Sequence, residues 1–219
     1  MAKPPIVEEE QLNHAIAVAG SSGQTARRDV ALLLVAYCTG MTPNEIAKLV
    51  VSDYLEVDGT IRTESALREE ISFNGRSRPV YWTNRKVRAG VDSYLAFRTA
   101  NKHGTNGRSK KYRGLNADGP LFLTADGRPL TFTKRVTTAG TVSFSCESLT
   151  EIYRRLHMQA GIENGNASSA RRTFAVRLYR QGRDLKLIRD VLGVNSLSAV
   201  KNLVEGDSRH LSAMVAEVL

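Results

Sequence analysis

The sequence predicts an α+β fold that is mostly helical and carries one small antiparallel sheet of about three strands. Apolar residues recur at helical spacing through most of the chain, which predicts several amphipathic helices. Two dipeptides that favour tight hairpin turns, Asp58-Gly59 and Asn74-Gly75, lie among short β-prone runs from residue 55 to residue 82. The 219 residues suffice for one hydrophobic core, and we expect a single domain over residues 1–219.

Three helices are predicted before the sheet. The segment Glu8–Ala19 begins with acidic residues, which suit the positive N-terminus of a helix. The segment 25–40 is apolar on nearly every side and predicts a central, buried helix. Thr42 precedes Pro43, and Glu45 follows three residues after Thr42, which is the spacing of an N-terminal capping box.

Six helical segments are predicted after the sheet. They cover 85–102, 146–162, 169–182, 184–193, 195–204 and 208–219. Gly182 suits the C-terminal cap of the third, while Asp184 and Gly193 suit the start and the end of the fourth. A loop rich in glycine and basic residues is expected at 103–119, followed by a strand with a turn at 120–131. The pattern of 131–147 favours neither helix nor strand.

The charge balance indicates a polyanionic partner. Lys and Arg number 31 against 22 Asp and Glu, a formal net charge of +9. The chain has no apolar run long enough to span a membrane and no signal-peptide core at its N-terminus. We therefore expect a cytoplasmic protein with nucleic acid as its partner and no membrane association. A charge that serves solubility alone is the alternative.

The cysteines and histidines predict neither a disulfide nor a metal site. Cys38 and Cys146 are far apart in sequence and lie among apolar or small residues, so buried free thiols are expected. The four histidines lack the spacing of metal ligands. We expect no metal and no cofactor.

The order of several short motifs is more specific than the composition. The segment "TGMTPNE" at 39–45 is followed by the small sheet, by "PLFL" at 120–123 and by a helix ending in "AGI". The segment "SSARRTFAVRLYRQGRDLKLIRDVLG" follows at 168–193. In this order the motifs resemble the catalytic domain of the tyrosine recombinases, or phage integrases, over roughly residues 8–205. The resemblance implies the mostly helical tyrosine-recombinase catalytic-domain fold and a docking surface for double-stranded DNA.

Most residues that react in that family are replaced in this sequence. In the family, two arginines and a lysine neutralise the scissile phosphate, histidines move protons, and a tyrosine attacks phosphorus. The second arginine falls on Arg171 and is retained. The replacements are Thr42 at the first arginine, Ser168 and Arg172 at the histidines on either side of the second arginine, Val194 at the histidine after Leu-Gly, and Leu203 at the tyrosine.

Catalysis by this chain is therefore not expected. A threonine hydroxyl cannot replace a bidentate guanidinium, and no tyrosine follows Tyr179. Groups that act as a unit leave little activity when most of them are missing. In the family, the lysine comes from the hairpin of the sheet. This sequence has only arginines there, and it does not show which of them stands at the lysine position: Arg62, Arg68, Arg76 and Arg78.

The resemblance implies a positive face centred on the old active site. Phosphate contacts by basic side chains, some from a loop that orders on binding, would hold the DNA. The expected DNA-binding residues are Arg171, Arg172, Arg68, Arg76, Arg78, Arg108, Lys110, Lys111, Arg113, Lys134, Arg135 and Lys201. The alternatives are a solvated loop at 103–119 and, for Arg171, a buried arginine that bridges helix ends.

The sequence-based hypothesis is a non-catalytic, integrase-like DNA-binding protein. It would be a sequence-specific regulator of transcription, associated with the nucleoid and with a mobile element or plasmid. The alternatives are a protein-interaction module that modulates active recombinases in DNA recombination and a recombinase with a relocated nucleophile. No separate N-terminal core-binding domain is expected, so a monomer would hold DNA with half of the family's clamp and bind more weakly.

The C-terminal segment is the expected site of self-association. Four apolar residues of 208–219 recur at helical spacing: Leu211, Met214, Val215 and Val218. Such a helix packs either on its own core or on a partner. The partner would be a second copy in a homodimer or another integrase-like protein.

Overall fold

The computed structural model describes residues 3–107, 109–136, 138, 140 and 142–207, and this part of the chain contains eight α-helices and four short strands. The helices are α1 (Glu9–Gly20), α2 (Ala26–Thr39), α3 (Pro43–Ala47), α4 (Arg85–Ala100), α5 (Glu147–Gln159), α6 (Ala167–Arg180), α7 (Leu185–Leu192) and α8 (Leu197–Val204). The strands are β1 (Glu64–Leu67), β2 (Arg78–Tyr81), β3 (Thr133–Val136) and β4 (Val142–Ser145). The helix predicted at 208–219 lies outside the described residues.

Helix α2 occupies the middle of the fold, as its apolar sequence predicts. Every side chain from Ala31 to Tyr37 is buried. Helices α1, α4, α5 and α6 pack around it. The approach of α4 is close because Gly90 faces α2, where an added Cβ would lie 2.5 Å from Cδ1 of Leu34. The core therefore forms around one helix that is apolar on all sides.

The predicted capping box begins α3. The Thr42 hydroxyl accepts from the Glu45 backbone N–H at 3.3 Å, and the Glu45 carboxylate accepts from the Thr42 N–H at 2.7 Å. Pro43 occupies the first helical position, where a missing N–H costs nothing. These local bonds fix where the chain turns away from the end of α2.

The prediction of one three-stranded sheet was inexact. Strands β1 and β2 form a two-stranded antiparallel sheet. The Asp58-Gly59 turn forms as predicted, but it closes a single bridge between Leu55 and Ile61. The run before this turn is too short for a strand because residues 51–53 already form a turn of 3-10 helix.

A second antiparallel pair forms where the sequence favoured neither state. Strand β3 pairs with β4 from Thr133 opposite Ser145 to Val136 opposite Val142. Its side chains are exposed or half-buried, so the pair is a ribbon that stands off the core. The strand predicted at 120–131 is reduced to isolated bridges, because prolines at its bridging positions lack the N–H that a ladder needs.

A second apolar cluster connects the C-terminal half of α6 with α7 and α8. Arg180 at the end of α6 also binds two carboxylates, 2.9 Å from Glu8 before α1 and 2.6 Å from Asp207 after α8. This double ion pair holds the N-terminal segment against the C-terminal helices. The chain segments 3–8 and 197–207 are therefore fastened to the same side of α6.

The described residues show neither a membrane span nor a metal cluster. None of the helices described above is both long and apolar enough to cross a bilayer. In the same residues, His, Cys, Asp and Glu form no group of three or more that could hold a metal ion. Cys38 and Cys146 are free thiols; Cys146 is buried as predicted, whereas Cys38 is only half-buried.

A buried histidine links α5 to α2. The Nε2 atom of His157 lies 2.5 Å from the Tyr37 hydroxyl, and its Nδ1 lies 2.6 Å from the Tyr153 carbonyl oxygen. Since that carbonyl can only accept, Nδ1 carries the proton and Nε2 accepts from the tyrosine. Burial accordingly lowers the pKa of His157 from its ordinary value. The fold requires the neutral imidazole.

The free energy of unfolding is predicted to fall as the pH drops below about 6.5, the pKa of a histidine in an unfolded chain. Because the folded pKa is depressed, the unfolded state binds more protons there, and the stability present above that pH is lost progressively below it. Urea denaturation between about pH 8 and pH 5 measures the effect. His157→Asn should flatten the pH dependence, while the exposed His14→Asn should keep it. Equal pH slopes in wild type and His157→Asn would contradict this assignment.

Candidate nucleic-acid interface

Two helix ends meet at the centre of the candidate site. Helix α2 is capped by Gly40 and α7 by Gly193, both in the left-handed conformation with φ of 64° and 67°. The two ends touch, since a Cβ on Gly40 would lie 2.6 Å from Cδ2 of Leu192. The last carbonyl oxygens of a helix lack partners within it and carry the negative end of its dipole. This junction therefore needs N–H donors from elsewhere.

Arg171 on α6 supplies those donors. Its Nη1 donates to the Gly40 carbonyl at 2.6 Å, and its Nη2 donates to the Leu192 carbonyl at 2.9 Å. The guanidinium also lies over the Phe73 ring, 4.6 Å from the ring centre. These contacts match the alternative of an arginine that bridges helix ends, although the residue is half-buried rather than buried. Burial lowers the pKa of Arg171 to about 10, so the group remains charged at neutral pH.

Arg78 on β2 supports the same end of α7. It donates to the Val191 carbonyl at 2.9 Å and lies 3.2 Å from the Glu45 carboxylate. Arg78 is 5% exposed and Glu45 is fully buried. A buried ion pair costs several kcal/mol to break from one side, so this pair connects α3, β2 and α7 firmly. Contrary to its expected place on the surface, Arg78 lies within the protein.

Arg172 is likewise engaged inside the protein. It is 7% exposed. Its guanidinium donates to the carbonyls of Leu203 at 3.0 Å, Glu205 at 2.9 Å and Pro4 at 2.5 Å. The residue thus caps the C-terminal end of α8 and holds the N-terminal segment. Its donors point at the protein's own backbone.

By the resemblance, the family's other reactive positions correspond to residues on the elements around this centre. The Thr42 hydroxyl is used in the cap of α3, and Ser168 is exposed in the first turn of α6. Val194 and Leu203 are half-buried and pack against the second apolar cluster. By the resemblance, these two side chains stand where the family has a histidine and the tyrosine. Neither can move a proton or attack phosphorus.

The connection between β1 and β2 carries two predicted cations, and its tip reaches the centre. Arg68 is exposed and pairs with Asp53 at 3.2 Å, and Arg76 is exposed beyond the Asn74-Gly75 turn. The Asn74 amide donates to the Gly193 carbonyl, and the Arg171 guanidinium lies over the Phe73 ring. The tip of this connection therefore covers the junction of α2 and α7.

The ribbon of β3 and β4 lies on the other side of α3. The Asn44 side chain donates to the Phe144 carbonyl at 2.9 Å and accepts from the Cys146 N–H at 2.8 Å. Lys134 on this ribbon is exposed, while Arg135 is exposed and pairs with Glu147 at 2.6 Å. Both predicted cations are thus held beside α3.

The basic loop lies farther round the molecule. Arg113 donates to Asp92 of α4 and to the Gly59 carbonyl, each at 2.7 Å, which places the loop beside the Asp58-Gly59 turn. Lys110 and Lys111 are exposed in this loop. Lys201 is exposed on α8, and Arg108 lies outside the described residues. The structure therefore does not gather the predicted cations into one cluster.

One group of exposed cations at the start of α4 was not predicted from the sequence. Arg85, Lys86 and Arg88 are exposed there, while Val87 and Val91 face the core. Basic residues on both sides of a helical apolar stripe were the signal that could have identified them. They add positive charge next to β2.

Comparison with known proteins shows the family to which the sequence is similar. The profile of the phage integrase family matches residues 6–207. The tyrosine recombinase XerC of Thermodesulfovibrio yellowstonii is 25% identical over 188 residues, which are 85% of this chain and 53% of that protein. The chain thus spans about half the length of this relative.

Solved structures show the same fold. The XerA recombinase matches with a TM-score of 0.70 and 21% identity, over 99% of this chain and 66% of that one. The Tn1549 transposon integrase in complex with transposon right end DNA matches with a TM-score of 0.57 and 14% identity, over 100% and 67% of the two chains. At these identities the likeness shows the fold alone.

Replacing Arg171 with methionine should destabilise the protein by roughly 2–4 kcal/mol, because two carbonyls lose charge-assisted hydrogen bonds. Arg171→Lys should recover little, since one ammonium cannot reproduce the planar fork. The free energy of unfolding in urea measures both. The exposed Arg76→Met is the matched control and should change it by less than about 0.5 kcal/mol. Equal stability of Arg171→Met and wild type would refute the capping role.

Proposed function

The chain belongs to the phage integrase family, and on that premise we propose that it is a non-catalytic, integrase-like protein that binds double-stranded DNA. We propose further that it is a sequence-specific regulator associated with a mobile element or plasmid. The observation that carries the proposal is the centre of the site. Arg171 holds the carbonyls of Gly40 and Leu192, and Val194 and Leu203 pack in an apolar cluster.

The absence of catalysis follows from what phosphoryl transfer requires. Cations must stabilise charge that develops on the phosphate, and a nucleophile must stand in line with it. At the family's positions this chain offers a capping hydroxyl at Thr42, an arginine bound to helix ends and two aliphatic side chains. Ser168 is an exposed hydroxyl, and by the resemblance it stands where the family has a histidine.

DNA binding is supported by charge and by fold. The net charge is +9, and exposed cations lie on several separate elements: Arg68, Arg76, Arg85, Lys86, Arg88, Lys134, Arg135 and Lys201. The Tn1549 integrase, which shares the fold, is a transposon protein in complex with DNA. Phosphate contacts need solvent-facing cations, and these residues are exposed.

The arginines at the centre have a different part in this proposal. Arg78 and Arg172 use their donors on Glu45 and on backbone carbonyls. Their buried hydrogen bonds would stabilise the elements that form the DNA-binding face. That Arg171 and Arg172 themselves contact phosphates stays a prediction.

Sequence-specific binding is testable by fluorescence anisotropy. Duplexes tiled from the DNA that flanks the gene should include one that binds far more tightly than the rest. Its affinity should fall steeply with salt, with a log–log slope of about −0.9 for each neutralised phosphate. Arg76→Gln and Lys201→Gln should each reduce the slope by about 0.9, whereas Arg27→Gln, at the opposite end of α2, should not. Uniformly weak binding would instead favour the protein-interaction module.

Covalent attachment to DNA should not occur. Active tyrosine recombinases become trapped on substrates whose cleaved strand cannot be rejoined, because the nucleophile stays bonded to the phosphate. The protein should form no denaturation-resistant adduct with a nicked version of its tight duplex, as judged by gel mobility. An active recombinase on its own site is the positive control. An adduct that disappears in a Ser168→Ala variant would establish a relocated nucleophile and overturn the proposal.

A further inference from the structure

The ribbon of β3 and β4 has an outward face unlike the rest of the described surface. Lys134 lies opposite Phe144 and Val136 opposite Val142, so these four side chains share one face. Val136, Val142 and Phe144 are 61%, 49% and 52% exposed. Single exposed apolar residues are ordinary, but three together on a two-stranded ribbon form a patch that folding does not use.

The opposite face of the ribbon turns toward α5. Arg135 pairs with Glu147 at the start of that helix. With Ser145 it borders a hollow of 610 Å³ along the first turns of α5. The apolar face is therefore the one that points away from the body of the protein.

The ribbon also stands at the rim of the candidate interface. Asn44 fastens its base to the first turn of α3. At the other end of α3, Lys48 lies over the Phe132 ring and donates to the Glu70 carbonyl at 3.3 Å. Helix α3 thus stands between the ribbon and the β1–β2 connection, which covers the junction of α2 and α7. A duplex on this face would reach the ribbon.

Charge selects the partner of this face. Residues 133–145 contain Lys134, Arg135 and six hydroxyl side chains, and they contain no Asp or Glu. A contact with an apolar protein surface does not require basic residues or the lack of acidic ones. A DNA groove does, because phosphates line both of its edges. The major groove admits a two-stranded ribbon, and thymine presents a methyl group there that apolar side chains can contact.

We propose that this ribbon enters the major groove of the bound duplex and reads thymine methyl groups with Phe144 and its neighbouring valines. Lys134 would contact a backbone phosphate beside them. The inference rests on the proposed DNA binding and adds to it the element that selects the sequence. Phe144, Val136 and Val142 become specificity-determining residues.

The test uses the tightest-binding duplex and replaces its thymines one at a time with uracil, which lacks the methyl group. Wild-type affinity should fall about fourfold at each contacted thymine, the value expected for one buried methyl group. Phe144→Ala should bind the all-thymine duplex more weakly, and uracil should weaken it no further at the thymine that Phe144 contacts, while the response at thymines contacted by the valines remains. Loss of the response in the variant is the sign that the side chain and the methyl group touch.

Two variants separate this reading from a general loss of binding. Lys134→Gln should lower the salt slope by about 0.9 and keep the thymine response, while Phe144→Ala should leave the slope unchanged. Leu187→Ala, which removes another exposed apolar side chain from α7, should match wild type in both. Because Phe144 lies outside the core, thermal unfolding should be the same in Phe144→Ala and wild type.

Three outcomes would overturn the inference. If Phe144→Ala matches wild type in affinity and in uracil response, the ribbon does not read DNA, although the protein still binds it. If Phe144→Ala keeps the uracil response but converts a wild-type dimer to a monomer in sedimentation, the patch binds protein. If wild type binds no duplex tightly, this inference fails together with the proposed function.

Discussion

Hydrogen bonds from arginine side chains to the carbonyl oxygens at helix ends hold the C-terminal half of this fold together. Such carbonyls have no partner inside their helix, and burying them unpaired costs about 1–3 kcal/mol each. A guanidinium suits the task because its planar fork can donate to two oxygens at once and its charge opposes the negative end of the helix dipole. Arg171 joins α2 to α7, and Arg172 joins α8 to the N-terminal segment.

This constraint supports the proposed non-catalytic role of the chain. The Arg171 guanidinium donates to two backbone carbonyls and lies over an aromatic ring, so contacts within the protein fix its position without a ligand. Arg78 and Glu45 are similarly fixed in a buried pair beneath it. Exposed positive charge is found on the β1–β2 connection, on the β3–β4 ribbon and at the start of α4, among other elements. We infer that DNA contact has moved from the centre of the frame to its rim.

Local patterns in the sequence predicted most of the helices. The apolar run of α2, the capping box at Thr42 and the Asp184 and Gly193 boundaries of α7 all act through neighbours a few residues away, which a sequence displays directly. The order of motifs then predicted the recombinase fold. The position of Arg171 at the helix junction was anticipated only as an alternative, because its partners lie far along the chain.

Two features could not be predicted from the sequence. One depends on contacts between residues far apart in the chain, and the other on strands whose side chains are not buried in the core. The partners of Arg172 include Pro4, 168 residues away, and no local pattern could show them. The β3–β4 ribbon escaped prediction because neither of its faces joins the core, so its strands lack a clear alternation of apolar and polar residues. For the same reason Phe144 could not be recognised as an exposed side chain.

We propose that DNA binds on the face where the β1–β2 connection and the β3–β4 ribbon flank α3. Hydrogen exchange of the wild-type protein, with and without its tightest duplex, tests this binding face without any substitution. We expect slower amide exchange on DNA addition in residues 68–77 and 133–145, and unchanged exchange in residues 21–25 between α1 and α2. Protection that leaves 68–77 and 133–145 unchanged while slowing exchange elsewhere would contradict it.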